Sequence, residues 1–176
     1  MEPETALALR FLLLTLTRRG EVAGARRSEI DAAARAWTAP AERMKARRAQ
    51  VVPLSQQALE VLSEARRVCQ LSPFIFPAIG DAATHLDGNL LTRAVARLCE
   101  RLDIARGSPH DFRRSGATTL TTERYGVRRS VVAKVLAHTP TDGASLVTAV
   151  YDRNDYLPEK RQALAIWGDH ISGLTG

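Results

Sequence analysis

The sequence predicts a mainly α-helical domain with a small antiparallel β-sheet (an α+β fold), and three observations predict it. Apolar residues recur at helical spacing in several long segments that are opened by capping signals. Strand-like character is limited to short stretches near residues 32–38 and 50–54, which flank a basic, turn-like segment. A length of 176 residues suits one domain with a core that needs no covalent staples.

Taken in order, residues 4–17 have the length and apolar content of a buried helix, and a short second helix is expected around 20–25. Ala32–Thr38 and Gln50–Leu54 read as two strands, although alanine is a poor strand former. The segment Ala41-Glu42-Arg43-Met44-Lys45-Ala46-Arg47-Arg48 joins them as a basic hairpin tip. Ser55 caps a helix running to about Val68, with Ala58, Leu59, Leu62 and Ala65 on its apolar side. Pro73–Pro77 is an extended apolar link, and Asn89–Leu102 a further helix. Ser108 and Pro109 supply a cap and a first helical residue for a helix that carries His110 and Arg113 and ends at Gly126. Arg128–Ala137 is a short helix that delivers His138. Residues 139–144, with Pro140 and Gly143, form a loop before a helix carrying 147–151. Pro158 opens a last amphipathic helix to about Ile171, with Leu164, Ala165, Ile166, Trp167 and Ile171 on its apolar side.

Lys and Arg total 25 against 19 Asp and Glu, a formal charge of +6. That balance permits an anionic partner without naming one. Arginines come in pairs, at 18–19, 26–27, 47–48, 66–67, 113–114 and 128–129. A solvated helix face accounts for any one such pair. Nucleic acid is favoured only because several of them adjoin the motifs described below. Cys69 and Cys99 are far apart and lack CxxC spacing, which points to neither a zinc site nor a disulfide framework. The apolar run Phe11–Leu14 is too short to span a bilayer, and no signal peptide is visible. The chain reads as soluble and intracellular.

The most informative residues are His110-Asp111-Phe112-Arg113, then Leu136-Ala137-His138, then Tyr151-Asp152-Arg153. His and Arg at i, i+3 share one helix face and can address one ligand atom. A guanidinium matches phosphate oxygens with a planar fork of donors, and an imidazole donates or shuttles a proton near neutral pH. With Arg18 and Lys45 upstream, these residues make up an inventory for phosphoryl transfer without a metal or other cofactor, a tyrosine being the nucleophile.

The order Arg18, Lys45, His110-x-x-Arg113, His138, Tyr151 resembles the catalytic domain of tyrosine recombinases, the phage-integrase family of site-specific DNA recombinases. The resemblance runs from Ala6–Leu14 through Arg18-Arg19-Gly20-Glu21-Val22 to Tyr156–Arg161. It implies that Tyr151 attacks a backbone phosphate, forming a 3′-phosphotyrosyl link and freeing a 5′-hydroxyl. Arg18, His110 and Arg113 would surround the scissile phosphate, His138 would bond a non-bridging oxygen, and Lys45 would protonate the departing 5′-oxygen. Arg18 is preferred to Arg19 because the family places this Arg three residues before a Glu, here Glu21, which would orient the cations from behind. Arg19, Arg43, Arg47 and Arg48 are implied DNA-backbone contacts, and Arg114 a contact to DNA or to a carboxylate. Tyr151 is preferred to Tyr156 and Tyr125, and His85 and His170 match nothing in the family pattern. One departure is visible: glycine is usual two residues before the Arg, where this chain has Leu16-Thr17, so the turn is expected to be looser.

The resemblance also implies double-stranded DNA as partner, a tetramer on paired sites when the protein is full-length and DNA-bound, and a bacterial or phage protein of the cytoplasm and nucleoid. The family's separate N-terminal DNA-gripping domain has no counterpart here, so residues 1–176 are expected to be a single catalytic domain. In the family the C-terminal segment commonly docks on a neighbouring protomer, whereas packing on its own domain is the simpler alternative. A type IB topoisomerase shares the chemistry and a catalytically inert DNA-binding module shares the fold. The competent residues at all six catalytic positions argue against the inert module.

Overall fold

The computed structural model describes residues 1–45, 47–138 and 156–175. Its elements are α1 (Pro3–Thr15), α2 (Arg19–Ala23), a 3-10 turn at Arg27–Glu29, β1 (Ile30–Asp31), β2 (Ala36–Ala39), a second 3-10 turn at Ala41–Arg43, β3 (Gln50–Pro53) and α3 (Gln56–Val68). These are followed by β4 (Pro77–Ala78), β5 (Asp81–His85), α4 (Gly88–Arg101), α5 (Pro109–Leu120), α6 (Arg129–Val135) and α7 (Leu157–Thr175). The mainly helical α+β class predicted from the sequence is the one observed.

Helix α1 buries Leu7, Ala8, Leu9, Phe11, Leu12 and Leu14, so it is apolar on nearly every side, as a central helix must be. It opens with proline in its first turn, where the missing N–H has no intrahelical partner to lose. The helix stops two residues earlier than the sequence suggests. Leu16 takes a left-handed conformation (φ 52°) and donates its N–H to the Leu12 carbonyl. That conformation costs a non-glycine residue roughly 1–2 kcal/mol. Complete burial of the leucine side chain is of similar size and opposes it. The turn is therefore not loosened by the absent glycine. Space for the leucine comes from α5, where a Cβ at Gly116 would fall 2.6 Å from Leu16 Cδ2.

β1, β2 and β3 form an antiparallel sheet in which Trp37 pairs with Ile30 on one side and Val52 on the other. Trp37 and Phe76 each pack against Phe11, with ring centroids 5.5 and 5.7 Å apart. Where the sequence predicts a strand over 32–38, residues 32–35 form a turn and the strand occupies 36–39. Asp31 holds this turn by accepting the Ala34 N–H at 2.8 Å, and Arg35 closes it at φ 50°. Alanines supply no strand preference to compete with that bond.

The apolar link at 73–77 proves to be part of a second hairpin. Ile75 donates its N–H to the Ala25 carbonyl, and β4 turns through Gly80 (φ 80°) into β5. Every residue of β5 is exposed, so no alternation of apolar and polar residues announced it.

Helix α5 begins as expected, with the Ser108 N–H and Oγ both donating to Asp111 Oδ2 at 2.9 and 2.8 Å. It ends at Leu120 and not at Gly126. The Thr121 and Thr122 hydroxyls turn back onto carbonyls of the last helical turn, and Gly126 (φ 60°) closes the loop that follows. Both cysteines are free and buried. Among the described residues no helix is long and apolar enough to cross a membrane.

Helix α7 is longer than predicted at both ends, and its buried side packs on its own domain. Trp167, 2% exposed, donates its indole N–H to the Leu13 carbonyl of α1 at 2.7 Å. Lys160 is also buried and donates to the Val51 carbonyl of β3. Ala165, assigned to the apolar side from the sequence, faces solvent instead. Because α7 completes the core, Trp167→Ala should lower stability by about 3–5 kcal/mol. Urea denaturation measures this, and a loss under about 1 kcal/mol would show that α7 is dispensable to the fold.

Candidate phosphate-binding site

Three chain segments far apart in sequence supply the site, and main-chain carbonyls hold them together. Arg18 caps the start of α2. Its N–H donates to Glu21 Oε2 at 2.8 Å and its Nη1 to Glu21 Oε1 at 3.1 Å. Glu21 is only 2% exposed, and burying a lone carboxylate is costly, so both of its oxygens are engaged by the one arginine. Arg18 Nη2 also reaches the Ala137 carbonyl at 3.5 Å.

Arg113 lies one turn along α5 from His110. It is buried (4% exposed) while His110 is exposed. Its Nη1 donates to the Leu16 carbonyl at the end of α1, and its Nη2 to the Leu136 carbonyl at the end of α6, at 2.6 Å. Among the described residues, its buried Nε has no partner. Helix α6 closes through Ala137 at φ 46°, with the Ala137 N–H on the Lys134 carbonyl and the His138 N–H on the Ala133 carbonyl. This is the closure that glycine usually makes, formed here by alanine. It turns the Leu136 and Ala137 carbonyls toward the two arginines and releases His138 just beyond them.

The electrostatics bear out this convergence. Burial, then the charge of Arg18, brings the Arg113 pKa down to about 10, with Glu21 opposing. Partial desolvation lowers the His138 pKa below its ordinary value, and the charges of Arg113, Arg18 and His110 lower it further. Cations held this close with one balancing carboxylate repel one another, and an anion placed among them relieves the repulsion. A phosphate carries the charge and the acceptor oxygens that guanidinium groups recognise. Among the described residues, no three His, Cys, Asp or Glu side chains are grouped to hold a metal ion.

Of the predicted site residues, the fold thus brings together Arg18, Glu21, His110, Arg113 and His138. Lys45 stands exposed on the hairpin tip, directly after the buried Met44. Tyr151 lies outside the described residues. Arg19 is exposed and donates to Thr92 Oγ1, Arg47 and Arg48 are exposed on the tip, and Arg114 is exposed beside Asp111 at 3.4 Å. Arg43 differs from the expectation of a DNA contact, because both terminal nitrogens of its guanidinium are bound to Glu29, at 2.7 and 2.5 Å. Tyr156, the rival nucleophile, is half-buried at the start of α7, and the Lys134 ammonium lies 5.4 Å from its ring centroid. Tyr125 and His170 bond each other at 2.9 Å. The sequence does not reveal Glu29, nor Gln50, whose side chain donates to the Val135 carbonyl at 2.9 Å. Their partners are remote in the chain and follow no periodic spacing.

A helical domain carrying a small sheet and this cationic cluster has the fold of a tyrosine-recombinase catalytic domain. It superposes on the integrase from mycobacterium phage Brujita with a TM-score of 0.69 and 17% identity, covering 94% of this chain and 52% of that one. The XerH site-specific recombinase, solved bound to its difH substrate, aligns with a TM-score of 0.61 and 18% identity over 84% of this chain and 42% of that one. The phage integrase family model matches residues 2–155, and the chain belongs to that family. It is 33% identical over 159 residues to the prophage integrase IntA of Escherichia coli K12, spanning 90% of this chain and 37% of that protein. Likewise it is 33% identical over 171 residues to the prophage integrase IntZ of the same strain, spanning 95% and 39%. The chain thus spans about two fifths of the length of these relatives.

The lowered His138 pKa makes stability depend on pH with a definite sign. The unfolded chain binds the His138 proton more readily than the folded one. Stability is therefore complete above the ordinary histidine pKa of about 6.5, and it falls as pH drops through that value toward the lower folded one. His138→Gln should lack this increment. The wild-type melting temperature should fall relative to the variant between about pH 7.5 and about pH 5. Parallel curves, or a wild type that gains on acidification, would contradict the arrangement.

Proposed function

We propose that this chain is the catalytic domain of a site-specific DNA recombinase that cuts and rejoins strands through a 3′-phosphotyrosyl intermediate without a metal ion. The observation that carries the reading is the convergence of Arg18 and Arg113 on adjacent carbonyls immediately before His138. Family membership, and a structural neighbour that is a site-specific recombinase solved bound to its difH substrate, support it.

In this mechanism the phenolic oxygen of Tyr151 attacks the phosphorus as the bond to the 5′-oxygen breaks. His110 takes the phenolic proton, and Lys45 gives a proton to the departing 5′-oxygen. Arg18, Arg113 and His138 donate to the non-bridging oxygens, where negative charge builds up. Glu21 keeps Arg18 aimed by holding its backbone and side chain together. A 5′-hydroxyl from the partner strand then attacks the phosphotyrosine and reverses the chemistry on another duplex. The phosphotyrosyl link conserves the energy of the broken phosphodiester, so no ATP is required. Arg19, Arg47, Arg48 and Arg114 contact the DNA backbone on either side of the site. Residues 1–176 act as a single catalytic domain of a bacterial or phage protein of the nucleoid that, full-length and DNA-bound, assembles as a tetramer on paired sites.

A nicked suicide duplex carrying candidate sites should yield a covalent protein–DNA adduct, in EDTA as well as without it. Tyr151→Phe should bind DNA and form no adduct, whereas Tyr156→Phe should still form it. Arg18→Ala should react about a hundredfold or more slowly, a loss of roughly 3–4 kcal/mol of transition-state stabilisation. Requirement for Mg²⁺, or attachment at Tyr156 or a serine after peptide mapping, would contradict the mechanism. Relaxation of a supercoiled plasmid without a special site would indicate a topoisomerase, and binding without capture an inert module. Non-specific affinity should also fall steeply as salt rises to physiological strength, measured by fluorescence anisotropy, because phosphate contacts release counterions. A flat response would show that the basic surface is not the DNA face.

A further inference from the structure

Lys45 can act as a general acid only if the hairpin tip is held over the site, and the tip is anchored on both arms. On one arm, Arg43 Nη1 and Nη2 meet Glu29 Oε1 and Oε2 at 2.7 and 2.5 Å, a two-pronged ion pair between consecutive 3-10 turns. The same carboxylate accepts the Trp37 indole N–H from β2 at 3.0 Å and the Arg26 N–H at 3.1 Å. Arg43 runs across Gly24 at the end of α2, where a Cβ would lie 2.9 Å from Arg43 Cδ. Met44 then plunges into the core, and Lys45, the residue that follows it, is exposed. On the other arm, Gln50 is bound to the carbonyl of Val135, three residues before His138.

Burial alone would raise the Glu29 pKa. Its bonds from Arg43, Trp37 and the Arg26 amide, with the Arg43 charge, bring the net value below the usual carboxylate range. Glu29 is therefore held as a carboxylate and tied through Arg43 to the loop that bears Lys45.

We propose that Glu29, acting through Arg43, is a positioning residue that sets the reach of Lys45 toward the 5′-oxygen leaving group. This inference rests on the reading of Lys45 as the general acid. A duplex with sulfur in place of the bridging 5′-oxygen separates the two, because a departing thiolate needs no proton while all other contacts to the phosphate are kept.

The experiment measures single-turnover adduct formation by the full chain on ordinary and 5′-thio duplexes. Wild type is compared with Glu29→Gln, Arg43→Lys, Lys45→Ala and the Glu29→Gln/Lys45→Ala double variant. Glu29→Gln should slow ordinary cleavage about tenfold or more, return to near the wild-type rate on the 5′-thio duplex, and add little to Lys45→Ala. Arg43→Lys keeps the charge but loses the fork, so it should show the same sulfur-rescued defect at unchanged DNA affinity. It also stands in if Glu29→Gln does not fold. A defect of equal size on both duplexes, additivity with Lys45→Ala, or no defect would overturn the positioning role. Failure of the 5′-thio duplex to rescue Lys45→Ala would instead remove the general-acid reading, and the positioning role with it.

Discussion

The structure depends on the burial of one guanidinium. Arg113 sits inside the domain with its terminal nitrogens on the Leu16 and Leu136 carbonyls, so α5 is fastened at once to the end of α1 and the end of α6. A buried cation without partners would be prohibitively unstable, and carbonyl oxygens freed at helix ends are the partners the interior has to offer. That requirement explains why both helices stop where they do, each through a non-glycine residue in the left-handed region, Leu16 and Ala137. The backbone strain at each is opposed by the packing and hydrogen bonding it makes possible. Arg18 and His138 follow directly after these two turns, so the clamp that stabilises Arg113 also places its neighbours.

Around that clamp the design separates rigid from reaching groups. Arg113 and Glu21 are buried and fixed, whereas His110, His138 and Lys45 are exposed. The fixed pair sets the field, and the exposed groups face the solvent from which a ligand comes. The hairpin tip extends the same division, with Arg43 and Gln50 bound to the protein and Lys45 exposed.

Much of this was legible in the chain. Helix α5 was marked by Ser108-Pro109, and it carries both His110 and Arg113 as expected. The three-residue step from Arg18 to Glu21 anticipated their ion pair. What escaped the sequence was of two kinds. Elements without a pattern were missed or misplaced: β5 is exposed throughout, β1 is two residues long, and the alanine run before Trp37 follows the Asp31 turn instead of its own weak preference. Contacts between remote side chains and main-chain atoms were also invisible. Nothing in the residue types of Leu16, Leu136 or Gln50 announces a carbonyl or amide that another segment needs. Arg43 shows the same limit in reverse, since a basic residue on a basic tip reads as a ligand contact until a carboxylate fourteen residues upstream is found bound to it.

The central claim is that Arg18, brought from the start of the chain, and His138, from far along it, share one electrostatic site through the Arg113 clamp. The most direct test is the His138 imidazole pKa, read by NMR titration in the wild type and in Arg18→Gln. The account predicts a wild-type value below the ordinary histidine pKa of about 6.5 that climbs toward it once the Arg18 charge is removed. An ordinary value in the wild type, or one that Arg18→Gln leaves unmoved, would contradict it.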